Sequence, residues 1–252
     1  KAFSNVGVDL DGVVFSGYAS AMAVLSETEK ELGVVLVDMG AGTTDISVYV
    51  EGSVAYSSVV PIGARHITND LAIGLRISLE SAEKIKLYLS SPKKPKLAGD
   101  LEEERAAERL SDEVDLSPLS LAEELKKVSK KTLIDGIIRP RLNELFTMVG
   151  IEVKKSGFAG QTPSGLVITG GGAKTVGITD SAKRVLAMPV RVATAINMKG
   201  IIDEIQSPAF STVIGLTMYG SETESSSSLP FGFSIPGVRG LKFDNKTFSK
   251  IL

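Results

Sequence analysis

Eight residues, Asp38-Met39-Gly40-Ala41-Gly42-Thr43-Thr44-Asp45, lie between two runs that read as strands, and they restrict the fold more than any other stretch. Before them, Gly33-Val34-Val35-Leu36-Val37-Asp38 is apolar on both faces, the mark of a buried central strand. After them, residues 46–50 and 53–60 have strand character, with Glu51-Gly52 as a tight hairpin turn between them. Three strands joined by turns this short form an antiparallel meander. At the first turn, the strand-end carboxylate of Asp38 can hold a hydrated Mg²⁺, a cation that prefers oxygen ligands and keeps its waters. Gly40 and Gly42 allow the backbone to turn sharply with no Cβ facing a ligand. The free N–H groups of the turn, with the Thr43 and Thr44 hydroxyls, can then donate to phosphate oxygens. A bare D-x-G-x-G would read as an ordinary hairpin. The full string in its strand–turn–strand setting reads as a phosphate-binding turn.

Two further patterns bear on the same chemistry. Leu166-Val167-Ile168-Thr169 is another buried strand, followed by Gly170-Gly171-Gly172-Ala173. Such glycines make a flat wall for a purine and its ribose, with the positive end of a following helix behind it. This is no P-loop, since Lys174 follows the glycines but no upstream glycine has the required spacing. Glu83 and Lys86 are three apart in a helix predicted over residues 79–89, hence on one face. Spacing alone makes them a surface ion pair of little consequence.

The remainder of the chain supplies context. Residues 11–31 read as a short strand followed by a helix. Thr68-Asn69-Asp70 is the expected cap of a helix through Leu71, Ile73 and Leu75. Residues 93–117 read as a solvated connector, and 121–149 as one long amphipathic helix interrupted near Pro140. Helices are expected over 181–186 and 212–219, a strand over 190–192, and a serine-rich linker after Gly220. A net charge of −2 gives no global basic field for nucleic acid, and the lack of cysteine removes disulfides and thiolate metal sites. A single histidine, His66, excludes a histidine cluster, and the apolar runs are too short to span a bilayer. The chain opens on Lys1 and reads as a piece of a longer protein.

A phosphate turn, a helix carrying Glu and Lys, and a triglycine turn, in that order, follow the second half of the actin, sugar-kinase and heat-shock-chaperone superfamily. Within it, residues 11–219 resemble the FtsA family of actin-like bacterial cell-division proteins. Besides the phosphate turn, the resemblance rests on Gly17-Tyr18-Ala19-Ser20-Ala21, Val60-Pro61-Ile62-Gly63, Ile67-Thr68-Asn69-Asp70-Leu71-Ala72-Ile73-Gly74-Leu75 and Glu83-Lys84-Ile85-Lys86. It continues through Ile138-Arg139-Pro140-Arg141, the segment from Leu166 to Ala173, and Thr212-Val213-Ile214-Gly215-Leu216-Thr217-Met218-Tyr219-Gly220. The T-N-D-x-A-I-G-L string separates this family from chaperones and sugar kinases better than the phosphate turn does.

The resemblance implies an α/β fold: an actin-like (ribonuclease H-like) mixed-sheet domain with an inserted smaller α+β lobe. Residues 1–32 would end a preceding subdomain, and 33–66 with 161–220 would form the nucleotide-binding subdomain. Residues 67–160 would be the inserted lobe, and 221–252 a flexible linker leading into a membrane-targeting tail. ATP and Mg²⁺ are the implied ligands. Asp38 would hold the metal through water, while Gly40, Gly42, Thr43 and Thr44 line the phosphates. Glu83 and Lys86 would face the ribose and adenine, and Gly170, Gly171, Gly172 and Ala173 would cover the nucleoside. No catalytic residue is implied in this chain, because the family's first phosphate loop would lie upstream, and the whole protein would have at most weak ATPase activity. The implied partners are the FtsZ C-terminal tail, with Arg141 pairing its carboxylates, further copies in a filament, and the inner face of the cytoplasmic membrane at the division site. No nucleic acid is implied. The membrane contact would use Leu241, Phe248 and Leu252 beside Lys242, Lys246 and Lys250. Another actin-like scaffold, such as a pilus-assembly or rod-shape filament relative, and a small-molecule kinase of the same superfamily are the alternatives.

Overall fold

The computed structural model describes residues 4–7, 12–91, 112–196 and 205–226. The three expected meander strands are present as β1 (Val34–Met39), β2 (Thr44–Val50) and β3 (Ser53–Val60). Every residue of β1 is buried, as its two-sided apolar run requires. Glu51 and Gly52 both have positive φ, 51° and 77°, the geometry of the hairpin turn that matches strand twist. Two short strands, β4 (Glu113–Asp115) and β5 (Lys127–Ser129), form a separate antiparallel pair. The chain then returns to the main sheet with β6 (Leu166–Thr169) and β7 (Val190–Val192). The five-stranded sheet has the order β3-β2-β1-β6-β7, with β1 antiparallel to β2 and parallel to β6.

Seven helices accompany the sheet among the described residues: α1 (Ser16–Val24), α2 (Glu27–Leu32), α3 (Ala64–Leu75), α4 (Leu79–Ser90), α5 (Arg139–Lys155), α6 (Ile178–Leu186) and α7 (Ser211–Ser226). One face of the sheet packs Leu36, Tyr49 and Val167 against Ala21, Ala23 and Val24 of α1 and Ile214 of α7. The opposite face packs Val35, Val37, Ile46 and Val48 against Leu142, Leu145, Phe146 and Val149 of α5. Ile67, Leu71, Ile85 and Leu133 belong to that same cluster, so the core of the 67–160 stretch is continuous with the core under the sheet.

Several elements depart from the sequence expectations. No strand precedes α1 in residues 12–15, and after the apolar helical run stops at Leu25-Ser26, where its spacing ends, a second helix follows. Ser26 there starts α2 with a reciprocal cap: its hydroxyl accepts from Glu29 N–H, and the Glu29 carboxylate accepts from Ser26 N–H at 2.9 Å. Helix α3 begins at Ala64, ahead of the expected Thr68 cap, because the His66 ring accepts from Gly63 N–H at 3.1 Å. The single helix expected over 121–149 is replaced by β5, a π-helical stretch (Thr132–Ile138) and α5. Pro140 lies where the π-helical stretch runs into α5, so the chain stays helical through it while the ladder there is widened, with Arg139 N–H bonding Ile134 O. Helix α7 runs on through Ser226, past the start of the expected linker. Residues 93–111 of the predicted connector, the rest of the linker and the tail around Leu241, Phe248 and Leu252 lie outside the described residues. Among the described residues, no helix is long and apolar enough to cross a membrane.

Candidate functional site

The site grows from the end of β1. Between β1 and β2, Gly40 N–H donates to Thr43 O at 2.9 Å and closes the turn. The carbonyls of Gly40 and Ala41 accept from Ala64 and Arg65 N–H at 2.9 and 2.8 Å, so the turn satisfies donors at the start of α3. Gly63 makes this approach possible, since a Cβ there would lie 2.6 Å from the Ala41 carbonyl. With its carbonyls occupied in this way, the turn exposes Ala41, Gly42 and Thr43. Their N–H groups meet no acceptor among the described residues. Thr44 is buried and its hydroxyl donates to Ile62 O at 2.6 Å, holding the loop from inside.

Asp38 is only 7% exposed and lies in register with Asp45 on β2 and Thr169 on β6. Its Oδ2 accepts from the Ser20 hydroxyl of α1 and from the Thr212 hydroxyl of α7, the latter at 3.0 Å. Its Oδ1 turns toward Gly170, where an added Cβ would lie 2.3 Å away. Gly170 has φ +87°, and its φ and this contact both demand glycine. Gly172 is constrained by contact alone, with Met39 Cγ 2.5 Å and Met39 O 2.9 Å from the place of a Cβ. Gly171 faces open space, its nearest neighbour being Ala209 Cβ at 3.9 Å. The phosphate turn and the triglycine therefore meet at one end of the sheet. Burial pushes the Asp38 carboxyl above the usual range; the Ser20 and Thr212 hydroxyls oppose this, and the nearby Asp45 charge adds to it. Asp45 itself accepts from the Ser16 hydroxyl, one turn before Ser20 on α1.

Glu83 and Lys86 form a packed network rather than the surface pair that spacing suggests. Lys86 is 7% exposed, and Nζ reaches Glu83 Oε2 at 2.7 Å, Thr68 Oγ1 at 2.9 Å and Ala64 O at 3.3 Å. Ala64 is also the residue whose N–H meets Gly40 O, so Lys86 braces the helix turn on which the phosphate turn rests. Burial alone would raise the Glu83 carboxyl, but the Lys86 and Thr68 bonds and the Lys86 charge hold it below its ordinary value.

Arg141 lies elsewhere, on α5. Its guanidinium is bidentate to Asp70, at 2.6 and 2.8 Å, and also bonds Glu144. These side chains border a shallow cavity of about 330 Å³ together with Ile73, Gly74, Ile137 and Pro140. Sequence reasoning did not find Ser20, Thr212 or His66 as parts of the site or its frame. The Ser16–Ser20 spacing on a helix of small residues was the available signal for the first; Thr212 opens the Thr212–Gly220 string of the resemblance, but no local pattern ties it to Asp38.

The family model for "Cell division protein FtsA" matches residues 35–215. FtsA of Pseudomonas aeruginosa is 37% identical over 225 residues, covering 89% of this chain and 51% of that protein. FtsA of Neisseria meningitidis is 36% identical over 219 residues, covering 86% and 49%. The chain thus spans about half the length of the curated relatives it matches. Among solved structures, MreB5 of Spiroplasma citri bound to ADP has a TM-score of 0.64 at 16% identity, over 88% of this chain and 64% of that one. The PilM–PilN type IV pilus biogenesis complex gives 0.56 at 18% identity, over 86% and 55%. These likenesses establish an actin-like fold.

Proposed function

The chain belongs to the FtsA cell-division family, and from that premise we propose that it supplies one wall of an ATP-binding cleft in an actin-like scaffold. In that scaffold, self-associating copies tether FtsZ filaments to the inner face of the cytoplasmic membrane. One observation carries the nucleotide assignment. A buried carboxylate with a free Oδ1, three N–H groups without acceptors and a glycine wall converge on one end of the sheet. The donor chemistry fits Mg-ATP. The N–H groups of Ala41, Gly42 and Thr43 suit phosphate oxygens, and Asp38 suits a metal held through its waters. When bound, Mg²⁺ would offset phosphate charge; Asp38 would orient its water shell, and the turn formed by Gly170, Gly171, Gly172 and Ala173, open to solvent at Gly171, would cover the nucleoside. Glu83 and Lys86 are assigned to the ribose and adenine side. The solved MreB5 of the same fold holds ADP in one structure and AMPPNP in another.

For the FtsZ tail, Arg141 and the cavity beside it are the proposed contact, with Ile73 and Ile137 supplying apolar surface. Glu144 would leave the guanidinium as a tail carboxylate arrives. Residues 241–252 are the proposed membrane contact. The deciding experiment is Asp38→Ala in the full-length protein. Mg-ATP affinity, read by calorimetry, should fall while the fold persists, and an unchanged affinity refutes the nucleotide assignment.

A further inference from the structure

The two oxygens of Asp38 have different surroundings. Oδ2 accepts from two hydroxyls, Ser20 on α1 and Thr212 on α7, which also lie 2.9 Å from each other. Oδ1 has no donor among the described residues and faces the glycine wall. The two hydroxyls come from positions 192 residues apart. They are brought together where α1 and α7 cross so closely that a Cβ on Gly215 would lie 1.7 Å from Ala19 O. A carboxylate on a strand end is free to rotate about its side-chain torsions, and a hydroxyl pair fixed by a backbone-to-backbone helix crossing removes that freedom.

Resting on the reading that Asp38 meets a hydrated Mg²⁺, we propose that Ser20 and Thr212 are positioning residues. They clamp Oδ2 so that Oδ1 alone faces the metal's water shell, and the α1–α7 crossing sets the angle at which it does so. The clamp touches neither nucleotide nor metal. Its signature is therefore a loss confined to the metal-dependent part of binding.

The test measures ATP affinity of the full-length protein by calorimetry, once with Mg²⁺ and once in excess chelator. The double substitution Ser20→Ala with Thr212→Val should cut the Mg²⁺-dependent gain by roughly threefold or more, since the released carboxylate regains its staggered side-chain wells, of which one presents Oδ1, while metal-free affinity stays level. Ser20→Thr and Thr212→Ser keep the hydroxyls and should keep the gain, which controls for packing damage at the crossing. If the double variant retains the full gain while Asp38→Ala loses it, the clamp is refuted and the Asp38 assignment stands. If Asp38→Ala also retains the gain, the assignment fails and the clamp fails with it. Equal losses with and without Mg²⁺ would assign the hydroxyls to framework only and overturn the proposal.

Discussion

A lysine that is 7% exposed needs acceptors for the three N–H bonds of its ammonium group, and Lys86 finds them in Glu83, Thr68 and the Ala64 carbonyl. Lys86→Met keeps the stem volume but leaves Glu83 without its cation. Because Glu83 retains water on one side, with its side chain 43% exposed, the cost should be about 1–2 kcal/mol rather than that of a fully buried broken pair. Chemical denaturation at neutral pH reads this directly. The pH dependence follows from the lowered Glu83 value. Its contribution is complete above the ordinary glutamate value of 4.5 and is lost as pH falls through the lower folded value. Denaturation midpoints taken at several pH values should show this acid-side loss in the parent chain and a weaker one in Lys86→Met. Glu83 and Lys86 were legible as helix neighbours, but their burial was not, because it is created by α3 lying across α4. Ser20 and Thr212 were hidden for the same reason, since no local pattern reports a contact between residues so far apart in sequence. Asp38 and the glycines were legible because turn chemistry is written locally, in consecutive residues.

Helix α7 shows two opposing element-scale effects at one residue. Gly215 sits inside a helix, where alanine would ordinarily be favoured by about 1 kcal/mol. At this position, however, the added methyl would lie 1.7 Å from the Ala19 carbonyl of α1. The neighbour is backbone and cannot swing aside, so the helices must separate, and overpacking of this kind costs about 3 kcal/mol. Gly215→Ala should therefore destabilise by about 2 kcal/mol net. A thermal midpoint at or above that of the parent would mean the crossing is looser than described. Among the elements, β1, β2, β3, β6 and β7 were legible from apolar runs and punctuating turns. The start of α2 was missed because its helix, Glu27–Leu32, is polar and buries no residue, so only the Ser26–Glu29 cap marks it, and the start of α3 was misplaced because Gly63 is capped by the His66 ring rather than by a hydroxyl or carboxylate. The helix expected across 121–149 is met only from residue 130 on, because residues 127–129 pair instead with the nearby strand Glu113–Asp115, and that pairing overrides a periodic pattern.

At the scale of the molecule, both faces of the five-stranded sheet are covered, one by α1 and α7 and the other chiefly by α5 with α3, α4 and α6. Such two-sided cover is what a sheet with parallel strands at its centre requires, and it predicts that this chain folds by itself. The end of the sheet is different: Ala41, Gly42, Thr43 and Gly171 face solvent there. On the proposed reading, a nucleotide seated on these turns would have protein on one side only among the described residues, whereas sites for small molecules enclose about 70–90% of a drug-sized ligand. Curated relatives are about twice as long as this chain, and the proposed one-wall reading expects a second wall from sequence corresponding to their remaining half. Expressed alone, residues 1–252 should unfold cooperatively yet bind Mg-ATP at least about 100-fold more weakly than the protein extended to its relatives' length. That factor corresponds to about 2.7 kcal/mol, which two charge-assisted hydrogen bonds from the opposite wall would supply, so it is a floor. Calorimetric titration of the two forms under one buffer decides the matter. Equal affinities would place every energetically important contact on residues 38–43 and 170–173, and the one-wall description of this cleft would fall.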